Sequence, residues 1–241
     1  MCAAVQRFRG SIYLADGAIE KSNLSADGLH RVPIDDESWH VLSLDPRGNV
    51  VACLRYLDES NRSNFQNLWV KHAAISRSAE FGTAFRGAVE ACLQRTRRQG
   101  LRFGEVGGWA VAESHRWTVE PLRIILATYG LLELLGGCSG VATATFRHSS
   151  AMILRRIGLS SIVAGGAEVP PYYDPAYRCQ MQVLEFDSRR PAEKYRDWVE
   201  DLAGMLTLAP VVCRERFVHP LEGVLCGFDI ASDRRLVPAA V

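Results

Sequence analysis

The chain has 241 residues, 48% of them hydrophobic, enough to bury a sizeable core, and its 28 Lys and Arg against 27 Asp and Glu leave a formal net charge of +1. So even a balance supplies no global field, which argues against nucleic acid as a partner and leaves any electrostatic recognition to local patches.

Seven scattered cysteines (Cys2, Cys53, Cys92, Cys138, Cys179, Cys213, Cys226), none in a CxxC or zinc-knuckle spacing, predict reduced thiols in a cytoplasmic protein. Met1 to Gly10 carries Arg7 and Arg9 but no apolar segment or small-residue cleavage site of a signal peptide. The longest apolar run, Ile124 to Leu135, is too short to span a bilayer and contains Glu133, so no stable membrane insertion is expected.

In chain order, the first 35 or so residues are weakly patterned. Trp39–Leu44 and Asn49–Leu57 are β-rich runs flanking Asp45-Pro46-Arg47-Gly48, the chemistry of a hairpin turn. Phe81, Ala84, Phe85, Ala88 and Cys92 recur at helical spacing, predicting an amphipathic helix over 81–99 that Gly100 ends. A strand follows over 101–113, and its Gly107-Gly108 pair predicts a bulge or a close backbone approach. Pro121 suits the first turn of a helix running to Leu135, stopped by Gly136-Gly137. Val141–Phe146 reads as the next strand, and Ser149 or Ser150 as the cap of a short helix that Gly158 ends. Ser161–Ala164 and Cys179–Phe186 read as strands. Pro170–Tyr177 reads as an ordered loop, and 192–206 as a helix with Tyr195, Trp198, Val199, Leu202 and Met205 on its apolar side. The expectation is one α/β domain over 1–241, a mixed sheet with helices on both faces, its core about 35–187 and a C-terminal helical extension about 190–241. Ligands in such folds enter where neighbouring strands diverge, which draws attention to the strand ending at Glu113.

This order of elements resembles the GCN5-related N-acyltransferase (GNAT) superfamily, whose central sheet is mixed and mostly antiparallel. Ser149 to Leu159, SSAMILRRIGL, is similar to the family's Asn-x-x-Ala…Gly-Phe segment, with Ala151 retained, Gly158 at the glycine and Leu159 at the aromatic. Within the superfamily, Glu113-Ser114-His115-Arg116 resembles the Glu-x-Ser-Arg that ends the central strand of acyl-homoserine-lactone (autoinducer) synthases and N-acyl amino acid synthases, with His in place of Ser. HVLSLDPRGNVVACLRYL resembles that group's paired strands ending in arginine, here Arg55, and PPYYDPAYRCQMQVLEFD is also similar. The resemblance covers about 35–187. It implies a transferase that moves a long acyl chain from acyl carrier protein to the amine of an amino acid or similar small acceptor. The donor it implies is acyl-phosphopantetheine or acyl-CoA, with no permanently bound cofactor. A coenzyme A-dependent N-acetyltransferase with a divergent phosphate loop, or a non-catalytic acyl-binding module, are the rival readings.

Two departures from the family pattern bear on the donor. Coenzyme A enzymes cradle the pyrophosphate on a glycine-rich loop at a helix N-terminus. Here that stretch is Arg116-Trp117-Thr118-Val119-Glu120-Pro121, lacking both glycines, with a like-charged carboxylate and a proline that has no N–H. Where many members place a tyrosine general acid four residues after Ala151, this chain has Arg155.

Acyl transfer needs a deprotonated amine, donors for the developing oxyanion and a slot for the chain. Glu113 is the candidate base, if burial at a strand end raises its pKa; a solvated glutamate paired with Arg116 is the alternative. His115, on the same strand face by two-residue alternation, is a candidate to share that role. Arg116 and Arg55 suit a phosphate or an acceptor carboxylate, and a structural salt bridge is the competing reading for each. Backbone amides from Gly108 to Val111, including Ala110, are candidate oxyanion donors. Trp109, Val111, Tyr129, Leu132, Ala142 and Phe146 could line the acyl slot or simply form core, and His148 sits at a second strand end. Arg95, Arg97, Arg98 and Arg102, or Arg155 and Arg156, are the candidate patches for acidic carrier protein; charges solvating helix ends explain them equally well.

Overall fold

The computed structural model describes residues 1–213, 216–220 and 238–240, with side chains through residue 212. In chain order the elements are α1 (Cys2–Ala15), β1 (Ser38–Leu44), β2 (Val50–Asp58), α2 (Gly82–Arg98), β3 (Arg102–Val111), α3 (Glu120–Leu134) and β4 (Cys138–Thr145). Then come α4 (Ser150–Ile157), β5 (Ser160–Ser161), β6 (Val163–Ala164), β7 (Ala167–Glu168), β8 (Tyr172–Asp174), β9 (Cys179–Asp187), α5 (Arg196–Thr207), β10 (Pro210–Cys213), β11 (Arg216–Pro220) and β12 (Pro238–Ala240). The main sheet has seven strands, ordered β1-β2-β3-β4-β9-β5 with β8 also on β9. β3 and β4 pair in parallel, whereas β1 with β2 and β9 with β4, β5 and β8 pair antiparallel. The order of elements predicts a mixed sheet, and the family resemblance implies that it is mostly antiparallel; the sheet is both.

The chain divides into two compact units, one of residues 1–57, 108–135 and 197–241, the other of 58–107 and 136–196. In the first, α1 lies on the hairpin through a cluster of Val5, Leu42, Cys53 and Ala110, with Phe8, Ile12 and Tyr13 packed against it. Val5, Phe8 and Ile12 have helical spacing, yet the first 35 residues read as weakly patterned because the inner face of α1 also carries Gln6 and Arg9, both buried. α3 is apolar nearly all round and correspondingly buried from Ile124 to Leu132. α5 buries Val199 and Leu202, but Met205 is 67% exposed, so the apolar stripe expected there is narrower. The expected helical extension becomes strand after α5: β10 pairs with β11 and β12. Cys226 and the rest of that extension lie outside the described residues, as does the side chain of Cys213.

In the second unit, α2 lays Phe85, Ala88, Val89, Cys92 and Leu93 against Phe103, Val141 and Val183 of the sheet. Each fully buried Phe or Leu there stabilises by about 1.5–3 kcal/mol. The run 161–164 is not one strand: Ser161 pairs with β9, and Val163–Ala164 forms a separate ribbon with β7. The Pro170–Tyr177 segment is not a loop alone, since β8 pairs Tyr172 with Met181 and Asp174 with Cys179. The parallel ladder of β3 with β4 ends at Val106 and Ala142.

Candidate functional site

Arg55, the Gly108–Val111 stretch, Glu113, His115 and Arg116 fall within the first unit. β3 ends at Val111, earlier than expected, and Glu113–His115 form a 3-10 turn. The two-residue alternation that would put Glu113 and His115 on one strand face therefore does not apply. Glu113 is exposed rather than seated at a partly desolvated strand end. The imidazole Nδ1 of His115 lies 2.9 Å from the Ser114 hydroxyl.

Both arginines are engaged. Arg116 pairs with Asp16 at 2.8 Å, just past the end of α1, and its Nε donates to the Val111 carbonyl at 3.3 Å. Arg55, 6% exposed, donates to Asp35 at 3.2 Å. Asp35 also accepts from Arg9 at 2.6 and 3.0 Å, from Gln6 and from the Val32 amide. Two buried guanidiniums thus share one carboxylate. Arg9 Nε donates to His30 Nδ1, and burial together with the Arg9 charge pulls the His30 pKa down to about 4. Asp16, Arg9 and Asp35 were not singled out in the sequence; they lie 100, 46 and 20 residues from the arginines they serve or accompany.

Gly108 sits in mid-strand with φ of +64°, in the left-handed region that favours glycine. A Cβ there would lie 3.3 Å from Arg55 Cβ and 3.4 Å from Arg9 Nη1, so the expected close approach is real at this residue. Its carbonyl faces the Cys53 thiol at 3.6 Å, and burial pushes that thiol up to about 12. The next carbonyl, of Trp109, accepts from Tyr13 of α1 at 3.2 Å. Trp109 is half-buried with its indole N–H enclosed and unbonded, whereas Ala110 and Val111 are core. Tyr129 and Leu132 are core as well. Beside Gln6, an open cavity of about 510 Å³ is lined by Cys2, Gln6, Arg31 and Asp36 among others, and the Arg31 guanidinium there pairs with Asp27 at 3.1 Å.

The start of α3 is closed to an anion. Pro121 has no N–H, the Glu120 amide donates to Thr118 Oγ1, and the Leu122 and Arg123 amides both donate to the Val119 carbonyl. The Glu120 carboxylate is buried at this terminus and paired with Arg123. The first-turn amides of α3 that would meet a pyrophosphate are thus absent or in use.

Phe146 and His148 belong to the second unit. Phe146 is 50% exposed, Ala142 is core, and His148 lies in a 3-10 turn with φ of 52°. Arg155 is spent internally, donating to Ser161 at 2.5 Å and Gln182 at 2.9 Å, while Ser161 donates to Glu168. Arg95 pairs with Glu185, Arg102 with Asp58, and Arg97 bonds the carbonyls of Arg62 and Ser63. Among the described residues no group of three or more His, Cys, Asp or Glu could hold a metal, and no helix is long and apolar enough to cross a membrane.

No family model matches the chain, and no curated protein matches it in sequence. Solved structures do. The coenzyme A-dependent acyl-homoserine lactone synthase BjaI, with SAM and isopentyl-CoA, matches at a TM-score of 0.52 and 15% identity over 84% of this chain and 81% of its own. BjaI with MTA gives 0.52 and 14% over the same shares. FeeM, an N-acyl amino acid synthase from uncultured soil microbes, gives 0.48 and 12% over 78% and 90%. At these identities the likeness concerns the fold alone: the chain shares the mixed α/β fold of BjaI.

Proposed function

We propose that the protein is an N-acyltransferase that takes a long acyl chain from the phosphopantetheine thioester of an acyl carrier protein and places it on the amine of an amino acid or similar small acceptor. The observation that carries this reading is the closed N-terminus of α3, where Pro121, Glu120 and the satisfied amides leave no cradle for the pyrophosphate of coenzyme A. A carrier-protein donor has no such pyrophosphate to place. The rival donor is a coenzyme A thioester, on which BjaI depends.

In this reading Glu113 takes the amine proton, directly or through water, and its exposure is removed only when substrates cover it. His115, one residue from the Ser114 hydroxyl it touches, shares the proton relay. The free amine then attacks the thioester carbonyl; amides of Gly108 and Val111 receive the oxyanion, and as the intermediate collapses the C–S bond breaks and the second amine proton passes to the departing thiolate. Arg116 is the anion holder, taking the acceptor carboxylate or the phosphopantetheine phosphate in exchange for Asp16. Arg55, tied to Asp35, supports the strand rather than meeting substrate directly. Trp109 and Val111 remain the proposed acyl contacts.

The test presents the purified protein with acylated carrier protein, acyl-coenzyme A and an amino-acid mixture, with N-acyl products read by mass spectrometry. The expected result is product from the carrier donor and a loss of about 100-fold or more in kcat for Glu113→Gln. Product from acyl-coenzyme A alone transfers the reading to the rival donor; no product from any donor, with Glu113→Gln indistinguishable from the parent, removes the enzyme reading.

A further inference from the structure

In extended backbone the N–H and C=O of one residue point to the same edge, and successive residues alternate. The Ala112 amide donates to the Val51 carbonyl of β2, so residues 110 and 112 turn their polar backbone groups toward β2. Residues 109 and 111 turn theirs to the other edge of β3, along which the ladder to β4 has ended at Val106. On that edge the Val111 amide stands between two carbonyls, those of Trp109 and Val111. An oxyanion received there meets one donor and, beside it, two oxygens of its own sign.

Both oxygens are capped by side chains. The Tyr13 hydroxyl donates to the Trp109 carbonyl at 3.2 Å, and Arg116 Nε donates to the Val111 carbonyl at 3.3 Å. Tyr13 is held for this contact from three directions. One turn before it on α1, Arg9 donates to Asp35 at 2.6 and 3.0 Å and to His30 Nδ1 at 3.2 Å. The His30 ring in turn meets the Tyr13 ring edge to face, with centroids 5.5 Å apart. The Tyr13 carbonyl accepts from the amides of both Ala18 and Ile19, which closes the last turn of α1 on itself. The hydroxyl is therefore aimed before any substrate arrives, and a phenylalanine would fill the same space without it.

We infer that Tyr13 is a positioning residue of the acyl-transfer step: its hydroxyl occupies the Trp109 carbonyl, so that the oxyanion meets the Val111 amide without a bare carbonyl beside it. As the amine nitrogen bonds to the thioester carbon, the carbonyl electron pair moves onto oxygen; it returns when the C–S bond breaks. Tyr13 takes part in neither proton transfer and touches no reacting atom. The inference deepens the acyltransferase reading above and rests on it, and it holds for a carrier-protein or a coenzyme A thioester alike. No sequence pattern marks the pair, whose members lie 96 residues apart.

The test compares the parent with Tyr13→Phe and with Ser11→Ala, which removes an exposed hydroxyl elsewhere on α1. Trp109–Ala110 is the only Trp-Ala step in the chain, so protein labelled with carbonyl carbon-13 tryptophan and nitrogen-15 alanine reports this one peptide by NMR. Tyr13→Phe is expected to move the Trp109 carbonyl resonance upfield, as loss of a hydrogen bond does. It should also lower the single-turnover rate of acyl transfer by about tenfold with whichever thioester the parent consumes. KM should stay within about twofold, as should the affinity for a thioether analogue of that donor, which has no carbonyl to become an oxyanion. Ser11→Ala should match the parent throughout. A resonance that does not move overturns the contact. A moved resonance with an unchanged rate overturns the positioning role, and so does an equal loss of rate and thioether affinity, the mark of general damage. A parent inert toward every thioester removes the acyltransferase reading and the catalytic role of Tyr13 with it, whatever the resonance does.

Discussion

Asp35 receives N–H groups from Gln6, from two nitrogens of Arg9, from Arg55 and from the Val32 amide, and its ionisation governs how acid acts on the first unit. Burial alone would raise its pKa; the hydrogen bonds and charge of Arg9, with the Arg55 charge and the Val32 amide, outweigh burial and bring it from 3.8 to about 2. Between pH 4 and 2 the unfolded chain therefore takes up a proton that the folded chain refuses, and stability falls across that window. His30, brought from 6.5 to about 4, is neutral in the fold, so a separate loss occurs from pH 6.5 down to 4. Urea midpoints measured from pH 7 to pH 2 should decline through both windows. Asp35→Asn should abolish the lower one and cost about 3–5 kcal/mol at neutral pH, because it strands two buried guanidiniums. The motif containing Glu113 and Arg116 could be read from spacing. Their environment could not, because the partner of Arg116 is 100 residues away and a 3-10 turn leaves no periodic mark.

Helices and strands with one clean period were legible: α2, α3, β4 and β9 lie within a few residues of their expected bounds. α1 was hidden because Gln6 and Arg9 occupy its inner face, where a pattern search expects apolar residues. The contact between α3 and α5 was invisible too, since it depends on what a glycine lacks. A Cβ at Gly130 would stand 2.9 Å from the Ala203 amide nitrogen and 3.2 Å from the Val199 carbonyl, both backbone atoms that cannot yield cheaply. Gly130→Ala should therefore destabilise by about 1–3 kcal/mol despite its better helix propensity. Gly204, within α5 and facing open space, provides the contrast: Gly204→Ala should gain roughly 0.5–1 kcal/mol. Denaturant unfolding of the two variants beside the parent decides both, and the opposite order would mean that α5 does not sit this closely on α3.

Across the whole molecule, a net charge of +1 supplies no field that would steer an acidic carrier protein, so its docking rests on local charge, which salt screens. Activity with the carrier donor should fall as salt rises from 50 to about 500 mM, while activity with a soluble acyl-pantetheine stays level. Equal salt dependence for both donors would place the effect at the reacting groups instead. The mixed sheet followed from the order of elements, because hairpin turn chemistry and helix caps are local signals, whereas its mostly antiparallel pairing came only from the family resemblance. The division into two units, and the strands after α5, left no comparable local mark. One pairing in the sheet carries a consequence for inheritance. Gly104 and Gly140 are direct partners across the parallel ladder, and a methyl group at 140 would lie 1.8 Å from the Gly104 carbonyl oxygen. No rotamer relieves that overlap, so position 140 has a vocabulary of one letter: in a saturation library sorted for folded protein, glycine alone should be recovered there, while open Gly87 on α2 tolerates many replacements.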